Sequence, residues 1–359
     1  MRWVCAFWLL TKIITYPLWT AYRLFPTVPV DEILYTIPPV VHLILFIASV
    51  ICILLFITTA NKKVAIALFF FEIASCLLDQ NRWQPEIYLF LFLLFCYITV
   101  DNEQKRLLCW QIIIVSSYFF SGWFKWDPSF ITTVWQRDLL RKFLHIYIQN
   151  ATIMRLGYGI PICEMLLGVS LCFKAFKRVG LLFIILLHIF NLLWLGPLGL
   201  DSNIAVWPLN IIMPLLAINL FWNKNIDWPA FRKPYGILII TLVFWFILPS
   251  SNRFGYWDDF LSSEYYGGHT SFCYIDVELS QVPKALHPYF VKKLSVIENP
   301  DSVLSVQNWS YGEMNVPVYP SMRMYKKIAA QWQKRYGDSD KIFIIQAPYK
   351  KENVLYIGQ

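Results

Sequence analysis

Lys125 sits among aromatic residues in Tyr118-Phe-Phe-Ser-Gly-Trp-Phe-Lys125-Trp-Asp127-Pro-Ser-Phe130, between Phe124 and Trp126, with Trp123 just before and Asp127 two residues on. It closes an apolar run that begins after Arg106. Near a membrane boundary, a lysine can extend its alkyl stem and place its ammonium at the headgroups. In an apolar pocket, desolvation instead favours the neutral amine, which is a base. Residue type alone leaves both readings open.

Two further polar turns interrupt apolar sequence. One is Asp79-Gln-Asn-Arg82-Trp83-Gln-Pro-Glu86 and the other Gly196-Pro-Leu-Gly199-Leu-Asp201-Ser-Asn203. In the first, Arg82 can neutralise Asp79 and Glu86, or the turn can line a cavity. Its flanking runs are too short to carry it clear of the hydrocarbon, where irregular backbone must be buried in protein or line a cavity. Within the runs themselves lie His42, Glu72, Glu164 and His188, with Asn191, Asn203 and Asn210 nearby. Each alone is accounted for by an interhelical hydrogen bond. Together they suit a polar interior, because ionisable groups in membrane helices usually face the bundle. Lys12, by contrast, is expected to snorkel to the cytoplasmic face.

These residues need helices to position them. Hydrophobic residues make up 57% of the 359-residue chain and charged residues 15%, against about 25% charged in a soluble domain. The fold expected is mainly α: a polytopic transmembrane helical bundle with a small C-terminal α+β extracytoplasmic domain. Apolar runs at 3–19, 35–59, 64–79, 87–100, 107–124, 152–173, 179–197, 203–222 and 235–249 give eight or nine spans, several of them short. The first run is read as a retained helix, because Lys12 interrupts it and no small-residue cleavage site follows. Residues 131–148 alternate charge with leucine and phenylalanine, as an interfacial amphipathic helix does.

Basic residues recur in every second loop: Lys62 and Lys63; Lys105 and Arg106; Lys174, Lys177 and Arg178; Lys224, Arg232 and Lys233. By the positive-inside rule these loops and the N-terminus are cytoplasmic. The three polar turns then share the opposite face with residues 250–359. That C-terminal part is nearly neutral, so the net charge of +8 lies almost wholly in 1–249. It is topogenic charge, and no nucleic-acid partner is expected. The division expected is 1–249 for the membrane part and 250–359 for the outer domain. In the latter, 272–279 and 341–347 read as strands, and 283–293 and 319–336 as helices. Asn308-Trp-Ser310 is a formal glycosylation sequon. The eight cysteines show neither CxxC nor zinc spacing, and no metal site is expected.

Three segments resemble the HTTM family of membrane proteins, whose best-known member is the vitamin K-dependent γ-glutamyl carboxylase. They are Leu78-Asp79 with Trp83 and Tyr88-Leu-Phe; Tyr118-Phe-Phe-Ser-Gly122 with Lys125 and Asp127; and His188 with Asn191 leading into the 196–210 segment. The resemblance covers about residues 35–222. It implies that Lys125 is a base acting on a quinone-like lipid cofactor at the extracytoplasmic face. Asp79 and Glu86 would join it in catalysis, and Arg82, Trp83, Trp126, His188, Asn191 and Asn203 would hold the cofactor. Two departures argue against true carboxylation: Glu86 stands where the family has a histidine, and the large C-terminal substrate-binding region is missing.

Three functions follow as expectations. The first is an enzyme using a lipid-soluble reductant. The second is a non-catalytic membrane subunit or scaffold that docks an extracytoplasmic protein through 250–359. The third is a transporter, which the midspan Glu72, Glu164 and His188 permit, although no inverted repeat is visible. In all three the chain is surrounded by membrane lipid.

Overall fold

The computed structural model describes residues 1–147, 150–292, 302–337, 341–347 and 351–357. It is mainly helical, with a small antiparallel sheet in the C-terminal part. Among the described residues, four helices are long and apolar enough to cross a membrane: Pro39–Thr59, Glu103–Phe124, Ala151–Ser170 and Lys177–Leu195. The other apolar runs form shorter helices, among them Lys62–Leu78, Pro85–Thr99 and Val206–Phe221. At 1.5 Å per residue, a helix of about 16 residues reaches about 24 Å against a hydrocarbon core of about 30 Å.

The chain divides into two compact units. The first comprises Met1–Ile13, Ala48–Glu72 and Gln84–Gly268; the second comprises Ile14–Ile47, Ile73–Trp83 and His269–Gln359.

In the first unit, the Glu103–Phe124 helix packs along Gly159–Ser170. Glycines permit this at both ends of the crossing. A Cβ on Gly122 would lie 2.5 Å from the Pro161 carbonyl oxygen, and one on Gly168 would lie 2.8 Å from that of Val115. Backbone therefore rests on backbone, as small residues allow between apolar helices. Lys12 does not snorkel. It is fully buried, and its Nζ lies 3.0 and 2.9 Å from Glu72 Oε1 and Oε2; Oε1 also accepts the Trp8 indole N–H at 3.0 Å. The amphipathic segment forms a wide, π-type helix over Ile131–Phe143, a form common at functional sites.

In the second unit, the strands are β1 (Phe272–Asp276), β2 (Phe290–Lys292), β3 (Ser302–Ser305), β4 (Lys341–Ile345) and β5 (Val354–Ile357), ordered β2-β3-β1-β4-β5. Central β1 alternates, burying Cys273 and Ile275, and places Tyr274 opposite Ser305 on one side and Phe343 on the other. The Met322–Tyr336 helix buries Met324, Tyr325, Ile328, Ala329 and Trp332, one face at helical spacing. The segment read as a helix over 283–293 is helical only as a narrow 3-10 helix, Lys284–Tyr289, and continues into β2; residue 293 lies outside the described residues. Pro288 lacks the N–H that a continuing α-helix would need. In the sequon, Ser310 is buried and donates its hydroxyl to the Val316 carbonyl at 2.8 Å.

Candidate functional site

Lys125 caps the C-terminal end of the Glu103–Phe124 helix, where the helix dipole favours a cation. The chain restarts at once. Asp127 accepts the Ser129 backbone N–H at 2.7 Å and Pro128 takes the first helical position, so Asp127 serves as an N-cap. Ser117, Ser121 and Lys125 follow each other at intervals of four and share one helix face. The glycine crossing brings Glu164 to that face. Lys125 Nζ lies 2.7 Å from Glu164 Oε1 and 2.5 Å from Oε2. Ser121 accepts from Lys125 at 3.0 Å and donates to Glu164 Oε2 at 2.8 Å. All three ammonium hydrogens have an acceptor.

A second polar chain begins one turn earlier. Tyr118 Oη lies 2.8 Å from His188 Nε2, and His188 Nδ1 lies 2.8 Å from Asn210 Oδ1. Asn191 donates to the same Oδ1 at 3.2 Å, while Asn210 Nδ2 is turned to the Val206 carbonyl at 2.9 Å. With Asn210 Oδ1 as acceptor, His188 Nδ1 donates and Nε2 accepts the Tyr118 hydroxyl. In the neutral imidazole these partners fix the tautomer.

Both clusters border one cavity of about 160 Å³, whose other walls include Phe130, Val134, Leu139, Leu195, Val206 and Met213. An engineered cavity of about 150 Å³ accepts benzene, so this space takes one ring. Trp194 also lines it, and its buried indole N–H has no acceptor among the described residues, an omission that calls for a ligand or water.

The remaining candidates divide. Asn203 donates to Tyr266 Oη at 2.9 Å, and Tyr266 lines the cavity, so Asn203 supports a wall. Trp126 packs on Tyr158 with ring centroids 5.2 Å apart and does not line the cavity. Glu86 lines a separate space of about 30 Å³ with Thr11, Trp8 and Leu209; Leu209 also borders the larger cavity.

Asp79 and Arg82 belong to the second unit, where the hydrogen bonds of Arg82 reach beyond its own turn. Its Nε donates to Leu18 O at 2.8 Å. Nη1 donates to the Ser75 carbonyl at 2.8 Å and hydroxyl at 2.9 Å, and Nη2 reaches Trp19 O at 3.0 Å and His42 Nδ1 at 2.9 Å. Five donors meet five acceptors. Asp79 is bound by Arg23 and accepts the backbone N–H groups of Val28 and Asn81 at 3.2 and 3.1 Å. Burial pushes its carboxyl up, but Arg23 and Arg82 outweigh burial and hold it below the usual carboxylate range. Trp83 is half-buried at the end of this turn.

The sequence had singled out Lys125, Glu164, His188, Asn191 and Asn210, yet not their pairing. Tyr118 and Ser121 were missed as site residues; their signal is helical spacing to Lys125, two turns away for Tyr118 and one for Ser121. Compared with protein-family models, with curated proteins and with solved structures, the chain matches none.

Proposed function

We propose that the first unit binds a lipid-soluble, quinone-like reductant in the cavity beside Lys125 and removes a proton from it. The observation that carries this reading is an ammonium–carboxylate pair bordering a mostly apolar, ring-sized space. Transfer of a proton from Lys125 to Glu164 leaves a neutral amine beside a carboxylic acid, with no change in net charge. The amine then takes the proton of a bound hydroxyl, and the oxyanion remains beside the restored ammonium. Ser121 keeps both partners oriented. The resemblance of 118–127 to the HTTM family supports this role for Lys125. The family's histidine is replaced by Glu86, so the proposed chemistry stops at deprotonation and does not extend to carboxylating a protein.

The same reading has eight or nine spans, a cytoplasmic N-terminus, and 250–359 on the extracytoplasmic side; the loop charges support it. The test uses the full chain in lipid nanodiscs with a reduced short-chain benzoquinone. Lys125→Met is expected to weaken binding by at least about tenfold. Binding equal to the unsubstituted protein overturns the reading.

A second reading is a non-catalytic membrane subunit that docks an extracytoplasmic protein through 250–359. It is favoured by the complete hydrogen bonding of Lys125 and Arg82, which is what purely structural charges require. A stoichiometric partner retained through purification from native membranes, together with indifference to Lys125→Met, would select it.

A further inference from the structure

The cavity has one exposed wall residue. Among its described lining residues, only Phe190 is exposed, at 37%. Phe190 lies on the Lys177–Leu195 helix, where two stripes meet. The outer stripe of Val179, Leu182, Phe183, Leu186, Ile189 and Leu193 is exposed and wholly apolar. The inner stripe includes Leu187, His188, Asn191 and Trp194, all of which line the cavity. This helix is among those long and apolar enough to span a bilayer, so its outer stripe suits hydrocarbon. Phe190 is held edge-on by Phe143 at 6.2 Å and stacked on Trp194 at 6.4 Å, both within aromatic contact range. Phe143 ends the wide helix that supplies Val134, Trp135 and Leu139 to the cavity wall.

Resting on the function proposed above, we infer that the cavity is entered sideways from the hydrocarbon phase past Phe190. Its ligand is therefore an amphiphile: one polar ring inside, and a hydrocarbon tail leaving between the Ile131–Phe143 and Lys177–Leu195 helices. The volume sets the head at one ring. The Lys125–Glu164 pair and the unmatched Trp194 N–H give that ring polar partners. Whatever exceeds one ring must leave where the wall is exposed, and that point faces an apolar stripe.

The test compares two reduced benzoquinones with the same ring, one without a tail and one with a multi-isoprene tail, binding to the full chain in nanodiscs. The tailed compound is expected to bind at least about tenfold more tightly. Phe190→Trp, which adds bulk at the exit, should weaken the tailed compound more than the tailless one and so abolish most of that advantage. Leu186→Trp, on the outer stripe away from the cavity, should change neither, and thermal unfolding of both variants should match the unsubstituted chain. Equal binding of both compounds, or equal effects of the two tryptophans, overturns sideways entry and leaves the quinol reading standing. Failure of both compounds to bind the unsubstituted chain overturns that reading, and this inference with it.

Discussion

In the second unit, the guanidinium of Arg82 is enclosed by three backbone carbonyls, a serine hydroxyl and a histidine ring. In the first, the ammonium of Lys125 meets a carboxylate on one side and the wall of a cavity on the other. Both charges are buried and both have all donors engaged. The difference is what surrounds them. Arg82 holds together chain segments that are distant in sequence, reaching Leu18, Trp19, His42 and Ser75, and its shell has no donor left for a ligand. Lys125 and Glu164 join only two helices, which the glycine crossing already holds in contact. A buried ion pair of this kind contributes little stability compared with apolar residues of similar volume. Its presence beside open space is what the proposed deprotonation rests on. Lys12 and Glu72 show the contrast within one unit: both side chains are fully buried, and neither lines the cavity beside Lys125.

The comparison breaks first at Arg82. Arg82→Ala takes the Arg82 hydrogen bonds from the Leu18, Trp19 and Ser75 carbonyls and removes a cation near Asp79. The expected loss is about 3–5 kcal/mol or more, read as protease sensitivity and a lowered midpoint in thermal unfolding. Arg82→Lys should rescue little, since three N–H groups cannot serve five acceptors. An Arg82→Ala protein of native stability would end the structural reading of this cluster.

Next comes the Lys125–Glu164 pair. Lys125→Met alone strands a buried carboxylate and should cost about 3–5 kcal/mol, whereas Lys125→Met with Glu164→Leu should return stability to near or above the starting value. Ligand binding should stay lost in both. Stability that fails to recover in the double variant would make this pair structural, like Arg82.

A smaller effect is expected with pH. Asp79 has a folded pKa below its unfolded value of about 4. It therefore stabilises the fold above that value, and the contribution disappears as pH falls through the folded pKa. Thermal unfolding between pH 3 and 7 should show stability falling below about pH 4, and Asp79→Asn should flatten that limb. The smallest effect belongs to Trp126. It is 44% exposed and outside the cavity lining, so Trp126→Ala should leave ligand affinity unchanged within a factor of about two.

Much of this arrangement can be read in the sequence, because burial in apolar sequence is written locally. Glu164 and His188 stand out as polar residues within apolar runs, and Lys125 as a cation amid aromatics. What joins them is not local. Residues 125 and 164 belong to different helices, and only the glycines at 122 and 168 hint that the two backbones touch. Arg82 is legible only in part for a related reason. Acidic residues three and four positions away suggested a self-contained turn, and Arg82 does act on Asp79 by its charge, whereas its hydrogen-bond acceptors come from residues 18, 19, 42 and 75. In the C-terminal part, β1 and β4 carry enough apolar and β-branched residues to be seen. Strands as short as β2, with three residues, and β3, with four, offer too little alternation. Several apolar runs look like spans by composition but fold into helices shorter than the hydrocarbon is thick.

The glycine crossing has a mechanical consequence. Its two backbone contacts fall at Pro161–Met165 and at Gly168, so they bracket Glu164 closely. A helix resting on its neighbour at a single point tilts about that point when bilayer thickness changes, carrying its side chains with it. One touching at two points about a helical turn apart resists such tilting locally. The spacing between Lys125 and Glu164 should therefore stay constant across thin and thick membranes, while helices without such a clamp absorb the mismatch.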